Sequence, residues 1–269
     1  MKRNPSILYF TLGTFLFSYT LWGIVILGQQ LGWFPQGSNW VMPFYIIGGN
    51  APPIFAYFAL KRANSGYTLK EYFKNAFAVK QKPLYYAITI VMVAIYFGVP
   101  AMIGGLSTET SPGLESIGVS GRIPLYLAII GAVPIFFFGG GSEELGWRGV
   151  LQPELEKKMH VVLATMITAV FWTLWHLPLW FIDGTGQAEV SFVLFFLTVI
   201  GLSFALMAIR RVTGSVWLCV LFHCGINSIQ GSLPVIDNVS NKIVTTAVYI
   251  AISITILFWH ERKTKATEA

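Results

Sequence analysis

The chain has 269 residues, of which 55% are hydrophobic and only 11% charged, and its mean hydropathy is +0.64. Soluble domains carry about 25% charged residues, so the composition excludes a soluble enzyme or binding module and reads as an all-α, polytopic membrane protein. The net charge of +6 fits basic loops on one membrane face rather than a nucleic-acid surface.

Eight apolar runs follow in chain order, near 6–28, 39–60, 83–105, 122–141, 160–182, 190–209, 214–232 and 243–260. Each reaches or approaches the about 20 residues that a spanning helix needs. The first follows a basic start, MKRNPSILYF, but it is too long for a cleavable signal and no small-residue cleavage site ends it. The second contains GGNAPP, Gly48 to Pro53, which predicts a kink or break that neighbouring helices must cover. The loop after it predicts an amphipathic interfacial helix, with Tyr67, Leu69, Tyr72, Phe73 and Phe77 towards lipid and lysines towards headgroups. That segment reads as a surface anchor rather than a substrate gate. The seventh run is short and holds His223 and Asn227. Cys219 and Cys224 lie in the same run without metal-finger spacing, so both read as packing residues.

The basic residues test this layout. Of the 18 Lys and Arg, only Arg122 and Lys242 fall on one side, and the other 16 lie on the opposite side. The positive-inside rule then places both termini in the cytoplasm of a multi-pass cell-membrane protein. An odd span count would scramble the alternation, so the charges support the short seventh span. The organisation expected is a single membrane domain over 1–269. Its N-terminal spans and amphipathic loop occupy 1–120, a core carrying the polar motifs 121–232, and a last span with a cytoplasmic tail 233–269. No internal repeat is visible, which argues against an inverted-repeat transporter.

Ionisable residues inside spans are costly and are usually paired or functional. Here they are Glu143, Glu144, Arg148, His176 and His223, with Asn227 as a polar companion; His160 and His260 lie at span ends. SEELGWRG predicts a helix capped by Ser142, with the acids in its first turn. Arg148 is four residues after Glu144, so the two share a face and pair. Glu143, rotated by about 100°, is left to act elsewhere. His176 sits in a Trp-rich span just before Pro178, and His223 and Asn227 stand one turn apart on one helical face. No serine or cysteine stands in a nucleophile elbow. Water activated by Glu143, with His176 holding that water or shuttling the proton, is the natural chemistry. His223 and Asn227 suit a developing oxyanion. The alternative is a zinc or other divalent-metal site built on His176, His223 and a carboxylate; the i, i+4 pair of H-E-x-x-H is absent, so the spacing does not require it.

Glu143-Glu144-x-x-x-Arg148, then His176, then His223-x-x-x-Asn227, resemble the CPBP family of intramembrane proteases, which includes the CAAX prenyl endopeptidases and relatives linked to bacteriocin immunity. The resemblance covers roughly 125–230. It implies an eight-helix intramembrane fold and a peptidase site opening to the cytoplasm. It implies Glu143 as base, His176 as its partner on the water, His223 and Asn227 as oxyanion stabilisers, and Glu144 and Arg148 as supports. The family's second motif is F-x-x-x-H, whereas Trp172 stands four residues before His176; an aromatic is kept, which reads as a packing variation. The expected partners are membrane lipids and a peptide or lipidated-protein substrate, and no nucleic acid. Two other functions compete with an intramembrane endopeptidase: a non-catalytic immunity or scaffold protein of the same fold, and a proton-coupled transporter using Glu143 and the histidines as a relay.

Overall fold

The computed structural model describes residues 4–35, 37–104, 135–136, 140–230 and 238–268. Among them the regular structure is entirely helical. The first helix, α1 (Ile7–Gln30), starts where Ser6 accepts a hydrogen bond from the Tyr9 amide at 3.2 Å. Its buried face carries Thr14, Ser18 and Trp22, while Leu8, Leu12, Leu16 and Leu27 are exposed. Small hydroxyls inside and leucines outside reverse the pattern of a water-soluble helix and match one that faces lipid and packs its neighbours through small residues.

The second run is broken as its prolines predict. Helix α2 (Val41–Gly49) stops at Asn50, and α3 (Ala51–Ala63) begins at once. Pro52 has no N–H to offer the carbonyl four residues back, and that carbonyl, on Gly48, instead accepts the Ser18 hydroxyl at 2.8 Å. The interfacial segment forms α4 (Leu69–Ala76), opened by a reciprocal Thr68/Glu71 cap. Leu69, Phe73 and Phe77 are exposed as expected, but Tyr72 turns inward and donates its hydroxyl to the Pro53 carbonyl at 2.7 Å.

Helix α5 (Pro83–Gly104) follows. The fourth apolar run, with Arg122, lies outside the described residues except for its last few. Residues 141–156 form one composite helix, α6. It passes from a 3-10 turn (Gly141–Glu143) through an α turn (Glu144–Gly146) and a π segment (Trp147–Leu151) to a last α turn (Gln152–Glu156). Then come α7 (Val161–His176), extended by the 3-10 turn Leu177–Phe181, α8 (Phe192–Thr213), α9 (Val216–Ile229) and α10 (Val239–Glu268). Helix α8 is the centre of the bundle: residues 201–209 are all buried, with α6, α7, α9 and α10 packed round them.

Among the described residues, five stretches are long and apolar enough to cross a membrane: α1, α5, α7 with its extension, α8 and most of α10. The seventh run is the shorter α9, of 14 residues. At one end of the bundle Lys157 reaches Asn4, and Arg211 lies 3.6 Å from both Glu156 and Glu261. The N-terminus, the end of α6, the end of α8 and the α10 tail therefore meet there.

Candidate active site

Helix α6 enters the bundle through a glycine that no other residue replaces easily. Gly140 has φ +103°, and its carbonyl accepts the Glu143 amide at 3.0 Å. Ser142 is accordingly not the cap: it lies inside the first turn, and its hydroxyl donates to Asn50 Oδ1 at 3.0 Å, at the break between α2 and α3. Four residues further on, Gly146 packs directly on Pro52; a Cβ there would stand 2.8 Å from Pro52 Cβ and from its carbonyl oxygen. The broken second run thus forms a wall against the acid-bearing turn.

The two acids have separate surroundings. Glu144 and Arg148, both fully buried, form an ion pair at 3.0 Å. Glu144 Oε1 also accepts the Nδ1 proton of His223 at 2.8 Å. Arg148 donates to Ser203 Oγ on α8 at 2.9 Å, and its guanidinium lies 4.5 Å above the Trp172 ring. Glu143 faces the other way. Its Oε2 accepts the Trp172 indole N–H at 2.7 Å. Its Oε1 turns to the bare face of Gly140, where a Cβ would meet His223 Nε2 at 2.8 Å, Glu143 Oε1 at 3.0 Å and Asn227 Nδ2 at 3.1 Å. Three polar atoms from α6 and α9 therefore crowd one small region.

His176 ends α7. Its Nδ1–H donates to the Trp172 carbonyl at 2.8 Å, which leaves Nε2 with its lone pair. The ring is held edge-on by Trp175 and Phe195 at 4.6 and 5.1 Å. Glu143, Glu144, Arg148, His176 and His223 are all buried, whereas Asn227 is exposed, so the cluster opens on the Asn227 side. Among the described residues no group of three or more His, Cys, Asp or Glu side chains is placed to hold a metal ion. His160 caps α7 by accepting the Val162 amide.

Residues 124–229 match the family model described as type II CAAX prenyl endopeptidase, Rce1-like. That stretch is similar to the Rce1-like endopeptidases. Its matched range includes all six polar residues of the cluster and also Trp172. Over 276 aligned positions, spanning 97% of this chain and 96% of the relative, the sequence is 25% identical to CAAX prenyl protease 2 of Methanococcus maripaludis. The similarity thus extends through the N-terminal helices that wall residues 124–229.

Three contributors to this arrangement escape the sequence reading. Ser203 holds Arg148 from an apolar helix and carries no local signal. Asn50 lies 92 residues from Ser142. Trp172 was visible as the aromatic one turn before His176, but an aromatic there suggests packing, whereas its indole holds Glu143 and its carbonyl holds His176.

Proposed function

We propose that the protein is a CAAX-type intramembrane endopeptidase that hydrolyses a peptide bond near the cytoplasmic membrane face with water activated by Glu143 and His176. The observation that carries this reading is the separation of the acids. Glu144 is tied to Arg148 and His223, while Glu143 lies outside the Arg148 pair and turns Oε1 towards His223 Nε2 and Asn227 Nδ2. A water held by Glu143 Oε1 and the lone pair of His176 Nε2 gives its proton to Glu143 as its oxygen attacks the scissile carbonyl. The oxyanion then meets Asn227 Nδ2–H and, in the doubly protonated ring, His223 Nε2–H. Collapse of the tetrahedral intermediate returns the proton from Glu143 to the leaving amine. Arg148, Glu144 and Ser203 hold this frame without touching the substrate.

Eight spans, with both termini cytoplasmic and the core in 121–232, complete the reading. The meeting of Asn4, Lys157, Arg211 and Glu261 at one end of the bundle supports it, because those residues flank four of the predicted cytoplasmic segments. The similarity to CAAX prenyl proteases makes a prenylated C-terminal peptide the first substrate to try. Purified protein is assayed on a farnesylated CAAX reporter and on a peptide library, comparing the native chain with Glu143→Ala, His176→Ala and Glu144→Ala. Loss of cleavage in all three is expected, and cleavage that survives Glu143→Ala removes the base assignment.

A further inference from the structure

Trp172 touches four residues of the cluster. Its indole N–H donates to Glu143, its carbonyl accepts from His176, its ring carries the Arg148 guanidinium on one face, and the ring lies 5.3 Å from that of His223, nearly edge-on. We propose that Trp172 is a positioning residue for the hydrolytic base, acting through its indole N–H on Glu143 at a place where the family motif carries a phenylalanine. The inference rests on the reading of Glu143 as base.

The reasoning is geometric. A carboxylate turns easily about its last torsion, which is broad and two-fold. If Oε2 is fixed, Oε1 is fixed too, and a base must be held within a fraction of an ångström of its productive position. The Trp172 bond, at 2.7 Å and buried, is a charge-assisted contact of the short, strong kind. The Trp147 indole also stands beside this carboxylate. The ring has a second effect. By stacking on Arg148, it holds the guanidinium over its face, with NH1 directed to Glu144. A phenylalanine supplies that wall but not the N–H, so this chain has an orienting donor that the motif's usual residue lacks.

The test separates the N–H from the ring. In the purified full-length chain, Trp172→Phe and Trp172→β-(3-benzothienyl)alanine are compared on the farnesylated reporter. The second analogue keeps the bicyclic shape and replaces N–H by sulfur. Both are expected to lower kcat about 10- to 100-fold with KM changed less than about two-fold. The benzothienyl chain should melt at the native temperature, which keeps the test valid if the Phe chain packs poorly. An independent readout needs no substrate: the Trp172 indole ¹⁵N–H signal should move on Glu143→Ala. Native kcat in the benzothienyl chain, a loss confined to KM, or an indole signal indifferent to Glu143→Ala overturns the proposal. If Glu143→Ala itself cleaves, the base reading falls and this inference with it; if Glu143→Ala is dead and both Trp172 chains are fully active, only the Trp172 role falls.

Discussion

Gly140→Ala adds a single methyl group at the most crowded place in the cluster. Two separate costs follow. The backbone there has φ +103°, a conformation that costs a non-glycine residue about 1–3 kcal/mol. The new Cβ would also stand 2.8, 3.0 and 3.1 Å from His223 Nε2, Glu143 Oε1 and Asn227 Nδ2. Ordinary contact lies near 3.5 Å, so each group must retreat by roughly half an ångström. A displacement of about 1 Å in a catalytic group costs on the order of 100-fold, which predicts a fall in kcat of about 10- to 100-fold in a chain that still folds. Gly184→Ala is the matched control: it has φ +83° but nothing within 4 Å of a new Cβ, so it carries the backbone cost without the displacement. Turnover on the reporter and thermal melting in detergent are measured on both. If Gly140→Ala keeps native turnover, or if Gly184→Ala loses as much, the convergence of the three groups is not what sets the rate.

Three other changes probe the frame. Arg148→Met keeps most of the stem but leaves Glu144 buried without its cation; removing one partner of a buried pair costs about 3–5 kcal/mol, so melting should drop sharply and recover in part when Glu144→Gln is added, and an unshifted melting point refutes the pairing argument. Ser142→Ala deletes the hydroxyl that reaches Asn50 and should cost about 1 kcal/mol with only a modest loss of kcat, read from melting and turnover together; a loss as large as that of Glu143→Ala would place Ser142 in the chemistry itself. Chelation followed by dialysis should leave cleavage unchanged, because in the proposed mechanism Glu143 and His176 activate the water themselves; activity lost on chelation and restored by zinc sinks the metal-free reading.

What the sequence made legible is what local period encodes. Glu144 and Arg148 are four residues apart, and so are His223 and Asn227, and helical geometry alone aligns each pair. Pro52 and Pro53 announce the break in the second run. Ser142 is not the cap, although a serine before two glutamates is the usual helix start: the turn is capped two residues earlier, on left-handed Gly140. The π segment over Trp147–Leu151 leaves no mark in a 3.6-residue pattern. Contacts made across the bundle are invisible to periodicity for a simpler reason: His223 lies 79 residues from Glu144, and Arg148 lies 55 from Ser203. Only packing brings them together.

The broken second run has a consequence for how the protein is made. Its residues leave the ribosome before α6, the carrier of two acids and an arginine, and charges of that kind enter hydrocarbon only at high cost. By the time α6 emerges, Asn50 and Pro52 are available to receive Ser142 and Gly146, and Ser18 on α1 already engages the carbonyl that Pro52 leaves unmet. The N-terminal helices are thus a berth prepared in advance. Expression of residues 124–229 alone, however well they match a family, delivers the charged turn with nowhere to dock.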